Sequence, residues 1–340
     1  MDENHLNLLY GATSSYCAQT ATSMYSVLRK NPWAARIDVY VLCEGVPASA
    51  REKLQQTVRD FPNAHMHFLF AETVLKPLRE KFLLRAWNGS YNQYIYACLC
   101  DAFPELSRIL WLDGDVVCVG SLEALWKWDL TGCCVAAGLD CTPFLCVGPD
   151  EAFFATPFYF NAGVLLFDLE NCRTYGLQER CQKVLQHRGR KLRYCDQTML
   201  NLAIPPRRVA RLPLRYNWPA GISDAALRSV AWCNREDKPT FSREAFFEER
   251  AQVRLLHFIG GPLPTKPWYP QCTSPWKAYY LQNRVHTPWG EDPLPDGRPK
   301  NAWEAFVRGF SYLWDTRLSA IPAFFYRRLH GKRKNPFVEK

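Results

Sequence analysis

The stretch that decides the fold is Arg108-Ile-Leu-Trp-Leu-Asp113-Gly-Asp115-Val-Val-Cys-Val-Gly120. An apolar run, Ile109 to Leu112, stops at Asp113-Gly114-Asp115, and a second apolar run follows at once. A short, bounded run of this kind suits a strand buried in an α/β sheet. Open α/β sheets collect their ligands at the carboxyl ends of strands, which is where the two aspartates fall. Residues i and i+2 of an extended chain point to one side, so Asp113 and Asp115 converge. Two close carboxylates repel unless a proton or a cation lies between them. Hard oxygen ligands suit Mg or Mn, ions that keep room for substrate phosphates. Gly114 has no side chain to obstruct that approach. An Asp-Gly pair is also a common turn former, so its meaning rests on its surroundings.

Upstream, Leu6-Asn-Leu-Leu-Tyr10 reads as a first strand. A small-residue loop, Gly11-Ala-Thr-Ser-Ser15, follows, with Ser14 or Ser15 capping a helix to about Lys30. Ile37 to Leu42 alternates and reads as a second strand, Pro47 to Arg59 as a helix, and His65 to Phe70 as a third strand. His65 and His67 share one face there; with no third ligand nearby, a polar strand face is preferred to a metal pair. Tyr91 to Phe103 reads as a helix leading into the Ile109–Leu112 strand. This β-α-β-α-β beginning predicts a nucleotide-binding type of sheet. Neither Gly-x-Gly-x-x-Gly nor a P-loop signature occurs in it.

Downstream, Ser121 to Trp126 reads as a capped helical turn, and Cys133 to Gly138 as a buried strand ending near Asp140. Phe158 to Asp168 is very apolar with a polar break at Asn161, which a turn would explain. A helix is predicted over Leu169 to His187. A second begins at Asp196, which suits a cap, and ends before Pro205-Pro206. Residues 217–250 give no assignment. Arg254 to Ile259 returns as a strand, followed by Gly260-Gly261 and Lys266-Pro-Trp268.

With 340 residues the chain accommodates one large α/β domain with an appendage, or two domains. A hydrophobic share of 48% supports a large core and excludes global disorder. The 14 cysteines show no Cys-x-x-Cys, and Met1-Asp-Glu-Asn4 lacks the features of a secretory signal. Free thiols in a reducing, cytoplasmic setting are therefore expected. No apolar stretch reaches the roughly 18 residues a membrane span needs. Of the net charge of +9, residues 301–340 supply +5, from 8 Lys/Arg against 3 Asp/Glu. The basic excess belongs mainly to the tail, which argues against a nucleic-acid surface spread over the whole protein, and no nucleic-acid partner is expected. In that tail, Trp303, Phe306, Val307, Phe310, Leu313, Trp314, Leu318 and Ile321 recur at helical spacing up to Pro322. Phe324-Phe-Tyr-Arg-Arg328 and Lys332-Arg-Lys334 follow. Aromatic residues beside a basic cluster suit an anionic membrane surface. A helix packed on the main domain with a solvated basic end is the alternative.

Leu112-Asp-Gly-Asp115, Phe160-Asn-Ala-Gly-Val164, Asp196-Gln-x-x-Leu-Asn201, His257-Phe-Ile-Gly260 and Lys266-Pro-Trp268 occur in that order. The series, over about residues 6–270, resembles glycosyltransferase family 8. These retaining enzymes include bacterial lipopolysaccharide and lipooligosaccharide glucosyl- and galactosyltransferases and glycogenin. The resemblance implies an α/β chain with a GT-A fold: a single Rossmann-like mixed sheet flanked by helices over residues 1–270. Residues 271–340 would then form a helical, basic and aromatic C-terminal extension. It implies a UDP-sugar donor and Mn2+, with Mg2+ as the alternative, held by Asp113, Asp115 and His257. Lys266 would meet the diphosphate, and Gly260 would let a phosphate approach the backbone. Asn161, with Ala162 and Gly163, and Asp196 and Gln197 would line the sugar pocket, with Asp140 as a further sugar contact. Asp196 would accept from sugar hydroxyls, and Gln197 would stand near the anomeric carbon, stabilising an oxocarbenium-like centre. Gly11, Ala12, Thr13 and Tyr16 would lie at the nucleoside, with Gly114 beside the diphosphate.

The chain departs from the pattern twice. Relatives carry acidic residues where this chain has Thr13-Ser-Ser-Tyr16, and an arginine where counting back gives Tyr96. Both departures bear on donor choice and leave the metal set intact. The implied activity is transfer of glucose or galactose to a hydroxyl of a lipopolysaccharide-type or other membrane-linked glycan or glycolipid. The setting would be peripheral, on the cytoplasmic face of a membrane. A glycogenin-like self-glucosylating initiator and a non-catalytic sugar-nucleotide-binding relative are the alternatives, the second suggested by Thr13 and Tyr96.

Overall fold

The deciding run forms strand β4 (Arg108–Leu112), buried at every residue. Ile109 and Trp111 enter one hydrophobic core, Leu110 and Leu112 another. Alternation on a sheet covered on both faces explains why the run reads as continuously apolar. The computed structural model describes residues 3–140, 151–221, 242–259, 266–298, 301–303 and 305–306.

Strands β1 (His5–Thr13), β2 (Arg36–Glu44) and β3 (Ala64–Phe70) are parallel neighbours, and β1 also pairs in parallel with β4. Strands β6 (Val135–Leu139), β7 (Phe160–Asp168) and β8 (Val209–Leu212) complete a seven-stranded sheet of order β3-β2-β1-β4-β7-β6-β8. β7 runs antiparallel to β4 and to β6, so the sheet is mixed. The strand order reverses between β1 and β4. Such a switch point opens a crevice at the strands' carboxyl ends, here at Thr13 and just past Leu112. Three short strands, β5 (Val116–Cys118), β9 (Trp218–Pro219) and β10 (Leu255–His257), form a second sheet of order β5-β10-β9. Its register sets His257 opposite Val116, the residue after Asp115.

Several sequence expectations are corrected. β1 does not stop at Tyr10: its register with β2 continues through Gly11–Leu42, Ala12–Cys43 and Thr13–Glu44. The helix Cys17–Lys30 begins after Tyr16 with no side-chain cap, and Ser15 Oγ meets Thr13 Oγ1 at 3.3 Å instead. Asn161 is no turn former but lies inside β7. The segment Leu169 to His187 is two helices, Leu169–Tyr175 and Leu177–Arg188. Gly176, at φ +68°, closes the first in the left-handed region. Tyr91 to Phe103 is a 3-10 segment, Asn92–Cys98, followed by one α turn, Leu99–Ala102. Asp196 opens the helix Asp196–Ala203 from inside its first turn, and Cys195 precedes it as the capping position. The expected strand at Arg254–Ile259 narrows to β10. Gly260 and the tail beyond residue 306 lie outside the described residues.

His67 is held by a carboxylate. Asp38, almost fully buried, accepts from Arg36 Nε at 2.7 Å and pairs with His67 Nε2 at 2.7 Å and with His5 Nε2. Burial opposes its ionisation, but Arg36, His67 and His5 together hold the carboxyl well below the usual range. A folded-state pKa lowered in this way stabilises the protein in full above the unfolded value near 3.9, and that contribution declines below it until it is lost as pH falls through the folded value. Asp38→Asn is therefore expected to lower unfolding free energy at pH 7 by about 1–3 kcal/mol. Denaturant melts at pH 7 and pH 3 check this: the gap between variant and wild type narrows at pH 3.

Candidate active site

Asp113 and Asp115 leave the carboxyl end of β4 at the switch point. Their turn is fastened from three sides. Asp113 N–H donates to Gly163 O at 2.9 Å, Val116 N–H to Asp113 O at 3.0 Å, and Phe258 N–H to Asp115 O at 3.1 Å. Trp111 shares a strand face with Asp113 and donates from Nε1 to its Oδ1 at 2.9 Å. His257, at the end of β10, brings Nε2 to 3.6 Å from Asp113 Oδ2 and 3.3 Å from Asp115 Oδ1. One ligand atom from each of the three residues lies within 4.8 Å of the others. Among the described residues no other His, Cys, Asp or Glu group does this. Lys266 Nζ contacts Asp115 Oδ2 and donates to Phe258 O at 2.7 Å.

Two glycines make the convergence possible. A Cβ on Gly163 would overlap the His257 ring and lie 2.9 Å from Asp113 Oδ2. A Cβ on Gly114 would come within 2.8 Å of Thr20 Oγ1 and 3.1 Å of the Tyr16 ring. Tyr16 in turn packs edge-on against Trp268, with ring centroids 5.5 Å apart.

The paired carboxyls are electrostatically unequal. Desolvation, opposed by His257 and reinforced by Asp115, raises Asp113, although its side chain stays 41% exposed at the mouth of the site. Burial acts on Asp115 too, but Lys266 and then His257 outweigh it and keep that carboxyl ionised well below the usual range. Lys266 balances the charge of Asp115, and His257 faces both carboxyls. Two carboxylates and one imidazole suit a divalent ion of the Mn2+ or Mg2+ type, and three protein ligands leave positions for phosphate oxygens. Burial first, and then the field of Asp113, also raises Asp196 well above its ordinary value. Tyr96 is pushed up by burial, then by Asp196 and Asp113. Asp196 follows Cys195, a non-glycine residue at φ +47°, a strained conformation of the kind found at functional sites.

Beside this cluster lies a ring of amides. Gln197 Nε2 donates to Asp140 Oδ2 at 2.7 Å and to the Tyr159 hydroxyl at 3.2 Å. Its Oε1 accepts from Asn161 Nδ2 at 3.1 Å and from Ala162 N–H at 3.0 Å. Both lone pairs of that oxygen are thus engaged within the protein. Asn201 braces the group through Gln197 O and both backbone polar groups of Phe160. At the carboxyl end of β1, Asn92 Nδ2 donates to Ala12 O at 3.0 Å and to Leu42 O at 3.1 Å. A Cβ added to Gly11 would meet Asn92 Cβ at 3.1 Å and Trp111 at 3.2 Å. Tyr96 is fully buried next to Trp111, with its hydroxyl 3.5 Å from Ala162 O.

The structure therefore brings Asp113, Asp115, His257 and Lys266 together, and Asp140, Asn161, Ala162 and Gln197 together. Gly163 lies between the two groups. Sequence reasoning missed Trp111, Tyr159 and Asn217. The i, i+2 rule that pairs the two aspartates also puts Trp111 with Asp113. Asn217 opens the stretch that gave no assignment.

The mixed α/β fold is that of the GT-A glycosyltransferases of known structure. Residues 7–272 match the family model described as Glycosyl transferase family 8, and the chain belongs to that family. It is 27% identical over 297 residues to the lipopolysaccharide 1,2-glucosyltransferase of Escherichia coli (strain K12), covering 86% of this chain and 81% of that protein. Against the lipopolysaccharide 1,3-galactosyltransferase of Salmonella typhimurium the identity is 22% over 300 residues, covering 86% and 82%. Among solved structures, the galactosyltransferase LgtC in complex with donor and acceptor sugar analogues superposes with a TM-score of 0.63. That match has 22% identity and covers 83% of this chain and 96% of LgtC.

Proposed function

We propose that this enzyme transfers a hexosyl group, glucose or galactose, from a UDP-sugar to a hydroxyl of a lipopolysaccharide-type or other membrane-linked glycan. Retention of configuration follows the family. The observation that carries the reading is the convergence of Asp113, Asp115, His257 and Lys266 at the switch point. Asp113, Asp115 and His257 would hold the divalent ion. When bound, such an ion supplies Lewis-acid stabilisation of a departing diphosphate.

The chain's own groups do the rest. Lys266 exchanges Asp115 for a diphosphate oxygen, adding a compact positive charge where negative charge develops. Asp196 accepts from sugar hydroxyls. Gln197, held at both ends of its amide, fixes the pocket floor with Asn161, Ala162 and Asp140. Gly11, Ala12, Thr13 and Tyr16 flank the nucleoside and offer hydroxyl and backbone contacts in place of acidic ones. The acceptor hydroxyl attacks from the face being vacated, and the departing phosphate oxygen takes its proton.

Residues 1–270 form the catalytic domain in this reading, and residues 271–340 an extension that places the enzyme at an anionic membrane surface on the cytoplasmic side. Among the described residues no helix is long and apolar enough to cross a membrane. The names of the lipopolysaccharide transferase relatives support the acceptor class.

Calorimetry with UDP tests the donor half. Binding is expected with Mn2+ and to collapse in EDTA, and Lys266→Ala is expected to weaken it by about tenfold to a hundredfold, the range for a lost charged hydrogen bond. UDP affinity indifferent to both changes would remove the diphosphate assignment. For the tail, sedimentation with phosphatidylglycerol vesicles is expected to fall when residues 322–340 are deleted. Undiminished sedimentation would refute the membrane role.

A further inference from the structure

We infer that Asn217 is a positioning residue that keeps a proton on His257 Nδ1 and so aims the Nε2 lone pair at the acidic pair. The inference rests on the metal site proposed above. Its starting point is two backbone groups whose polarity is beyond choice. Gly163 N–H donates to Asn161 Oδ1 at 3.0 Å, and Ala162 N–H donates to Gln197 Oε1 at 3.0 Å. A backbone N–H only donates, so the side-chain atoms it meets are oxygens, and both amide orientations follow. Asp140 gives the same answer from the far end. Its carboxylate accepts from Gln197 Nε2, which leaves Oε1 for Asn161.

The polarity then propagates. Asn161 Oδ1 also lies 2.9 Å from the Asn217 amide, so Asn217 turns its Nδ2 that way. The remaining atom of that amide, Oδ1, is 2.9 Å from His257 Nδ1. An amide oxygen only accepts, so Nδ1 bears hydrogen. Every donor in the series His257, Asn217, Asn161, Gln197 points toward Asp140. Asn217 and His257 are only 3% and 4% exposed, so water has no room to replace either partner. The opposite tautomer would set two lone pairs against each other and point an N–H at the place a cation would occupy. Outer partners of metal-ligating histidines fix tautomer and ring orientation in this way. Asn217 thus joins the metal ligand on β10 to the amides of the sugar pocket on β7.

Direct 1H–15N correlation of 15N-histidine-labelled, metal-free protein tests the proton. A protected His257 Nδ1–H signal, identified by its loss in His257→Asn, is expected in wild type. It is expected to vanish in Asn217→Leu and to persist in Asn217→Asp, which keeps an acceptor for Nδ1. Mn2+ affinity, read by electron paramagnetic resonance, is expected to fall about 10- to 100-fold in Asn217→Leu and to stay within about tenfold of wild type in Asn217→Asp. A wild-type signal or wild-type affinity in Asn217→Leu would overturn the assignment. Should the Leu variant not melt cooperatively, the Asp variant decides alone, and loss of its Nδ1–H signal overturns it. If wild type binds no Mn2+, the metal reading fails, while the Nδ1–H signal still reports on Asn217.

Discussion

Asp115→Asn is expected to lower turnover by roughly a thousandfold, the scale of removing one preorganised charge from a catalytic centre, and to abolish Mn2+ binding. The substitution keeps the side chain's volume and removes its charge. Asp115 is buried, paired with Lys266 and 3.3 Å from His257 Nε2. The new amide would present N–H groups where the proposed cation would sit. It would also leave Lys266 without its carboxylate, so the metal-free variant should be less stable. Lys266 and then His257 outweigh burial and keep the Asp115 carboxyl ionised. UDP release and Mn2+ resonance spectra, measured on the same sample, check the outcome. A variant with undiminished Mn2+-dependent release would show that the metal assignment is wrong.

Gly163→Ala should be nearly as damaging, for a steric reason. The added methyl has no free volume: it meets the His257 ring and stands 2.9 Å from Asp113 Oδ2. β7 cannot shift to relieve this, because it pairs with β4 on one side and β6 on the other. The imidazole must move instead, which separates Nε2 from the carboxylates. Overpacking of this kind costs about 1–3 kcal/mol of stability, a modest fall in Tm of about 2–4 °C for each kcal/mol in a large domain. Activity and Mn2+ affinity should fall by about a hundredfold or more, out of proportion to the Tm. Near-normal Mn2+ affinity in a well-folded Gly163→Ala protein would show that His257 does not serve the site as described.

Much of this was legible in the sequence because it is local. The apolar run of β4 and the i, i+2 aspartates need only strand periodicity. Gly176 closes a helix in the left-handed region, but helical spacing on both sides of it hid the break. Ser14 and Ser15 carry capping chemistry, but pairing of β1 with β2 through Thr13 moved the helix start past them. Asn161 reads as a break in an apolar strand because its satisfaction is tertiary: Gln197, Gly163 and Asn217 supply its partners. His257 and Lys266 were recognisable only through the order of motifs, since three-residue β10 has no periodicity of its own. Asn217 carried no local signal at all. Its role arises where β9 pairs with β10, bringing together residues 40 positions apart.

The most direct measurement of the central claim is UDP release by the purified protein from UDP-glucose and UDP-galactose, with Mn2+, with EDTA, and with EDTA followed by excess Mn2+. The arrangement of Asp113, Asp115, His257 and Lys266 predicts release from at least one donor that EDTA stops and Mn2+ restores. Release that continues unchanged in EDTA, or no release from either donor, would contradict it.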